Sequence, residues 1–229
     1  MPFIAQGNAG VSVEVEATHR AMRMVERPME LGTRGSYAWG GVTGILPAAL
    51  AANSEIFQFR WIDATRICLL RSVTFSACVS TTFFAAGVPV QVDMKIARSW
   101  SADGTGGTAQ VFSTANTNKR RTDFPLSLLS DTGVRIATTA ALGAGTKTLD
   151  TNAMAFIVAP GPITASLNGL IVNPGTVLWQ RNTQDEYPIL FETNEGFVIR
   201  SVAVPGTGTW TASVGVEWAE LDPAAVTGW

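Results

Sequence analysis

The 229-residue chain holds a single histidine, His19, between Thr18 and Arg20 in its most charged stretch. A Ser-His-Asp or Cys-His nucleophile would have to recruit that imidazole and hold it within about 3 Å of the attacking atom. A mixed-charge segment is a poor rigid support, so catalysis of this kind is not expected. A zinc site would need three or four ligands drawn from His19, the thiols of Cys68 and Cys78, and carboxylates. The two cysteines lie in one strand-like run with no turn between them, which separates them by roughly 33 Å at about 3.3 Å per residue. A disulfide needs Cα atoms within about 7 Å. Two reduced, buried thiols are predicted, with no metal and no cofactor.

The remaining chemical motifs are weaker. Gly143-Ala144-Gly145-Thr146-Lys147-Thr148 has the composition of a phosphate loop, but that pattern requires glycine directly before the lysine and a helix after it. A glycine-rich hairpin or crossover is the better reading. Ser101 to Thr108 contains Asp103-Gly104 yet lacks the alternating Asp/Asn ligands and distal Glu of a calcium loop. Asp185, Glu186, Glu192 and Glu195 cluster in sequence, and glycoside hydrolysis needs only two carboxylates. Adjacent strand residues point to opposite faces, however, so Asp185 and Glu186 share a site only if a turn joins them. Lys119-Arg120-Arg121 reads as a solvated loop tip able to meet phosphate or the acids of a partner protein. Of the seven tryptophans, Trp210 and Trp218 alternate into an apolar strand face. Trp39, Trp100 and Trp229 lie in glycine-rich, loop-like or terminal surroundings and are candidates for contact with another chain.

The elements that must position these groups read as strands. Val88 to Ala97 alternates Val88, Val90, Val92, Met94 and Ile96 with polar or small residues. Thr209 to Trp218 does the same with two distinct faces, the mark of a half-buried strand. Thr65 to Ser80 places Ile67, Leu69, Val73, Phe75, Ala77 and Val79 on one side and Cys68, Ser72, Thr74, Ser76 and Cys78 on the other, with Arg71 breaking the apolar face as a bulge or edge would. Further strands are predicted over Val11 to Glu16, Ile56 to Trp61, Ala153 to Val158, Thr176 to Arg181, Pro188 to Glu192 and Gly196 to Val204. Spacers carry Gly, Pro, Asn or Asp, and no stretch past residue 35 sustains helical periodicity. Several connections exceed two-residue turns, which favours an all-β, jelly-roll-like two-sheet sandwich over an up-and-down meander.

Charged residues are only 15% of the chain against 46% hydrophobic, well below the roughly 25% charge of an ordinary soluble domain. Much of the exterior must then be Ser, Thr, Gly and Ala, a surface more often covered by a partner than left in water. Sixteen basic and eighteen acidic residues leave a net charge of -2, so no chain-wide attraction to nucleic acid or anionic membrane is expected. No signal peptide is apparent at the N-terminus. The longest apolar stretch, Tyr37 to Ala52, is glycine-interrupted and shorter than the roughly 20 residues of a membrane span. Residues 1–35 read as an extended N-terminal arm of mixed charge, and residues 36–229 as the sandwich domain. Val13, Val15, Arg20, Arg23 and Arg27 of the arm, with Arg120 and Arg121, join the three tryptophans as candidate partner contacts.

Val11 to Glu30 (VSVEVEATHRAMRMVERPME), Gly40 to Ala52 (GGVTGILPAALAA), Ile56 to Arg66 (IFQFRWIDATR), Asn194 to Arg200 (NEGFVIR) and Gly206 to Glu220 (GTGTWTASVGVEWAE) resemble tailed-bacteriophage virion proteins. The resemblance covers most of the chain, and its motifs are structural. It implies a jelly-roll-like capsid decoration or cement protein bound to the major capsid protein on the virion surface, often as a homotrimer, made in the host cytoplasm. It transfers no site residues. A tail-fibre or receptor-binding module using exposed tryptophan to hold host glycans is the alternative, and a glycan hydrolase a third.

Overall fold

A computed structural model describes residues 4–6, 12–14, 34–85, 87–114, 118–161, 169–181, 187–203 and 206–225. Their strands are β1 (Ile4–Gln6), β2 (Ser12–Glu14), β3 (Gly35–Val42), β4 (Leu46–Pro47), β5 (Ser54–Trp61), β6 (Ile67–Val79), β7 (Val90–Ala102), β8 (Thr108–Ala109), β9 (Val134–Ile136), β10 (Thr146–Leu149), β11 (Ala155–Ala159), β12 (Leu170–Gln180), β13 (Ile189–Phe191), β14 (Glu195–Ala203) and β15 (Thr209–Leu221). A 3-10 turn, Pro223–Ala225, follows. Among the described residues no helix is long and apolar enough to cross a membrane. Of the arm, β1 and β2 pair antiparallel. His19, Val15, Arg20, Arg23, Arg27, Asp185, Glu186 and Trp229 lie outside the described residues.

Sheet I runs β12-β6-β15-β3, with β13 beside β6 and β4 beside β15. Sheet II runs β10-β7-β14-β5-β9-β8, with β11 also beside β7. The two antiparallel sheets pack face to face. Taken in chain order, β3, β6, β12 and β15 belong to sheet I and β5, β7, β11 and β14 to sheet II. The chain crosses repeatedly between sheets, and the first and last long strands lie side by side. This is the jelly-roll arrangement.

The core between the sheets is aromatic. Trp218 stacks on Tyr37 at 5.6 Å and meets Phe59 and Phe112 edge-on at 5.7 and 5.9 Å. Phe57 and Phe59 pack on Phe197, and Trp39 on Phe57. Rings of this size supply most of the apolar burial of a sandwich and prefer these tilted and offset contacts. Phe112 is fully buried, so the connection between β8 and β9 is anchored to the core. The backbone of Asn118 and Arg120 also bonds along the edge of β3, to Ala38 and Ser36.

Extra residues in three strands decide which side chains share a face. Opposite Glu217 and Trp218, β6 supplies Ser72 and Leu70, leaving Arg71 as the inserted residue, at the position where the apolar pattern breaks. Because side chains alternate with period two, an insertion flips every residue beyond it. The predicted inner placement of Ile67 and Leu69 is therefore corrected. Cys68 and Leu70 join Val73, Phe75 and Ala77 in the main core, whereas Leu69 packs on the outer face with Ala219, Leu221 and Leu190. In β7, Arg98 is skipped between Ser99 and Ala97, which brings Trp100 and Ala97 together outside sheet II with Val198 and Leu149. In β5, Ile56 is skipped between Phe57 and Glu55. Cys68 and Cys78 are free thiols on one strand, the first buried and the second exposed. Burial, then the nearby Glu220 carboxylate, pushes the Cys68 thiol far above the usual range.

Candidate functional site

The outer face of sheet I is the surface with the most distinctive composition. Register places Val42, Ser213 and Ser76 in one row across β3, β15 and β6, and Gly40, Gly215, Thr74 and Val177 in the next row across four strands. A further row joins Thr211, Cys78 and Leu170. The sequence folds this way because β15 and β6 alternate strictly here, sending Trp210, Ala212, Val214, Val216, Val73, Phe75 and Ala77 inward and their small polar neighbours outward.

Two cross-strand side-chain pairs are bonded on this face. Ser76 Oγ and Ser213 Oγ are 2.6 Å apart, and Cys78 Sγ lies 3.4 Å from Thr211 Oγ1. Covering these four groups costs little desolvation, since each already has a partner. Val42, Leu170 and Val177 stand 65%, 39% and 49% exposed on this face, and Val42 and Leu170 line, with Ser76, Cys78, Pro174 and Ser213 among others, a shallow depression of about 150 Å³. Gly40 and Gly215 are register partners; Thr74 Oγ1 lies over Gly215, whereas Gly40 is open, so another backbone can approach closely there. The nearest charge, Glu217, is paired to Arg120.

Beyond the Arg71 bulge, on the inner side of the same sheet, Glu220 is wholly buried. Its Oε1 accepts from Ser127 Oγ at 2.6 Å, Leu128 N at 3.0 Å and Trp218 Nε1 at 3.4 Å, and its Oε2 accepts from Arg34 Nε at 3.1 Å. Arg34 also donates to the Leu126 carbonyl at 2.8 Å. Burial pushes the Glu220 carboxyl up, opposed by these donors. Burial, then Glu220, raises the Tyr37 phenol to about 12. The cluster joins the start of the domain, the 125–129 loop and the last strand. It is a structural latch whose carboxylate is closed to solvent.

Several candidate contacts take other places. Trp39 and Trp100 are corrected: they stand in β3 and β7 rather than in loops, and are only 8% and 2% exposed. Trp39 faces the core and donates to Gln110 Oε1 at 3.2 Å, because strand alternation continues through the glycine-rich run. Trp100 is carried under the Lys147 ammonium, 4.5 Å from its ring centroid. Both rings are covered by their own chain. Arg120 pairs with Glu217, and Arg121 with Asp123 and the Phe124 ring, so both arginines of the triplet meet acids of their own chain, while Lys119 donates to the Thr122 carbonyl. Glu195 accepts from the Glu192 backbone N–H at 2.9 Å and closes a turn. Asp103 binds Arg60 at 2.7 Å and Thr132 at 2.8 Å. Val13 lies in β2. Among the described residues no group of three or more His, Cys, Asp or Glu could hold a metal ion. Sequence reasoning had weighted tryptophans and the arm. The sheet face escaped it although both contributing alternations were legible.

These features define a class: an all-β jelly-roll sandwich carrying an outer sheet face with few charges. No protein-family model matches the chain, and comparison with curated proteins finds no similar sequence.

Proposed function

We propose that this protein is a non-enzymatic structural component of a phage particle, a decoration or cement protein that binds the major capsid shell and stabilises it. The observation that carries the reading is the outer face of sheet I, where the bonded Ser76–Ser213 and Cys78–Thr211 pairs, the Gly40–Gly215 row and exposed Val and Leu stand in place of charged side chains. A shell under outward pressure is strengthened by buried area between neighbours, which needs no reacting groups. The phage-virion resemblance of the sequence supplies the kind of partner.

Size bears on how binding is achieved. Four strands spaced about 4.8 Å apart, over about nine residues of β15, span roughly 600 Å². That is below the roughly 800 Å² per partner of a stable complex. The arm and a homotrimeric arrangement would supply the remainder through added contacts and multivalency. The glycan-binding alternative rested on exposed tryptophan, and Trp39 and Trp100 are both buried.

Ser213→Arg places a charge at the centre of the face without touching the core. An unpaired charge in an interface costs about 2–5 kcal/mol, so occupancy on purified particles is expected to fall at least about 30-fold at limiting protein. The thermal unfolding midpoint of the free protein should hardly move. Normal occupancy of this variant would remove the face from the interface and the reading with it.

A further inference from the structure

On the outer face of sheet II an amine, a carboxylate and a carboxamide are shut away together. The side chains of Lys147 and Glu55 are 3% and 6% exposed, and Gln58 is 1% exposed. The inserted Ile56 puts Glu55 and Gln58, three residues apart in β5, on the same face. Lys147 comes from β10, where its register partner is Trp100. Its Nζ donates to Glu55 Oε2 at 2.8 Å and to the Ala144 carbonyl. Gln58 Nε2 donates to that same Glu55 oxygen and to the Gly143 carbonyl at 3.1 Å. The amine and the carboxamide thus flank one carboxylate oxygen. Gly104 packs so closely on the carboxamide that a Cβ there would overlap it, which fixes its position.

We propose that Lys147 and Gln58 form an intramolecular isopeptide bond with Glu55 as the proton relay. Glu55 takes a proton from the Lys147 ammonium, and the free amine attacks Cδ of Gln58. The Nζ–Cδ bond forms. As the tetrahedral intermediate collapses, Glu55 passes a proton to Nε2, the Cδ–Nε2 bond breaks and ammonia departs. The second proton lost by Nζ stays on Glu55 or leaves on the ammonia as ammonium. No oxidant or other reagent is consumed. The surroundings favour the step: burial holds the Lys147 amine below the ordinary lysine range, opposed by its bond and attraction to Glu55, so the nucleophilic form is more accessible than in water.

The bond would strap β10 to β5 across the intervening β7 and β14, a covalent brace over four strands. This inference does not depend on the proposed particle role.

Intact-mass spectrometry of the purified full chain, denatured after incubation in its folded state, tests it. The expected mass is lower than that of the sequence by one ammonia, about 17 Da, and tandem spectra of the digest should contain a branched peptide joining Lys147 to Gln58. Lys147→Arg and Glu55→Gln should both restore the full mass, with circular dichroism reporting whether each variant is folded. A wild-type chain that keeps its full mass overturns the proposal whatever the variants do. So does an ammonia loss that persists in Lys147→Arg.

Discussion

Glu220→Ala removes the one carboxylate on which Arg34, Ser127, Leu128 and Trp218 converge. The Arg34 guanidinium then keeps the Leu126 carbonyl, while a hydroxyl, a backbone N–H and an indole N–H lose their acceptor. Breaking a buried charged network by deleting one member costs about 3–5 kcal/mol. Against a native stability of about 5–15 kcal/mol, that is a large share. Equilibrium urea unfolding should show the midpoint falling with an unchanged slope. Glu220→Gln should cost less, since its amide oxygen still accepts from Ser127 and Leu128. The two variants also separate in pH dependence. Burial raises the folded carboxyl above its unfolded value, so within that window the native state binds the extra proton and stability falls as pH rises. The advantage of wild type over Glu220→Gln is therefore greatest at the acid end and shrinks as pH climbs through the window. An alanine variant within about 1 kcal/mol of wild type, the scale of a single ordinary hydrogen bond, would refute the latch.

Thiol accessibility gives a second check. Cys78 is exposed and Cys68 buried, so a thiol reagent should modify one cysteine in the native protein and two after denaturation. Because Cys78 lines the depression on sheet I, its labelling should disappear on incorporation into particles, and unchanged labelling would place this face in solvent. Deleting residues 1–30 spares Arg34 and its bonds to Glu220, so circular dichroism and the urea midpoint of the β domain should be retained. Incorporation is expected to be lost, and full occupancy by the truncated chain would assign the arm no part in binding.

The alternation of β15 was plain in the sequence because two tryptophans and two valines mark the inner face without interruption. The break at Arg71 was equally visible, but its consequence was not. A bulge is a relation between two strands, and only the pairing with β15 reveals that Leu69 turns outward and Cys68 inward. Trp39 was misplaced because Gly40 and Gly41 lower strand propensity around it. The structure supplies the reason for one of those glycines: a Cβ at Gly41 would collide with the Trp39 ring, which lies over it. Trp100 was taken for a loop residue because β7 continues through two insertions to Ala102, where the apolar rhythm has already lapsed. The Lys147 cluster joins residues about ninety positions apart through a bulge in β5, and local spacing carries no trace of it.

Cryo-electron microscopy of particles assembled with and without this chain is the most direct test of its proposed role. The account expects extra density on the outside of the capsid shell, present only when the chain is supplied, into which the sandwich fits with Ser76, Ser213 and Gly215 turned toward the major capsid protein. Identical maps, or a bound sandwich whose sheet I face looks into solvent, would contradict it.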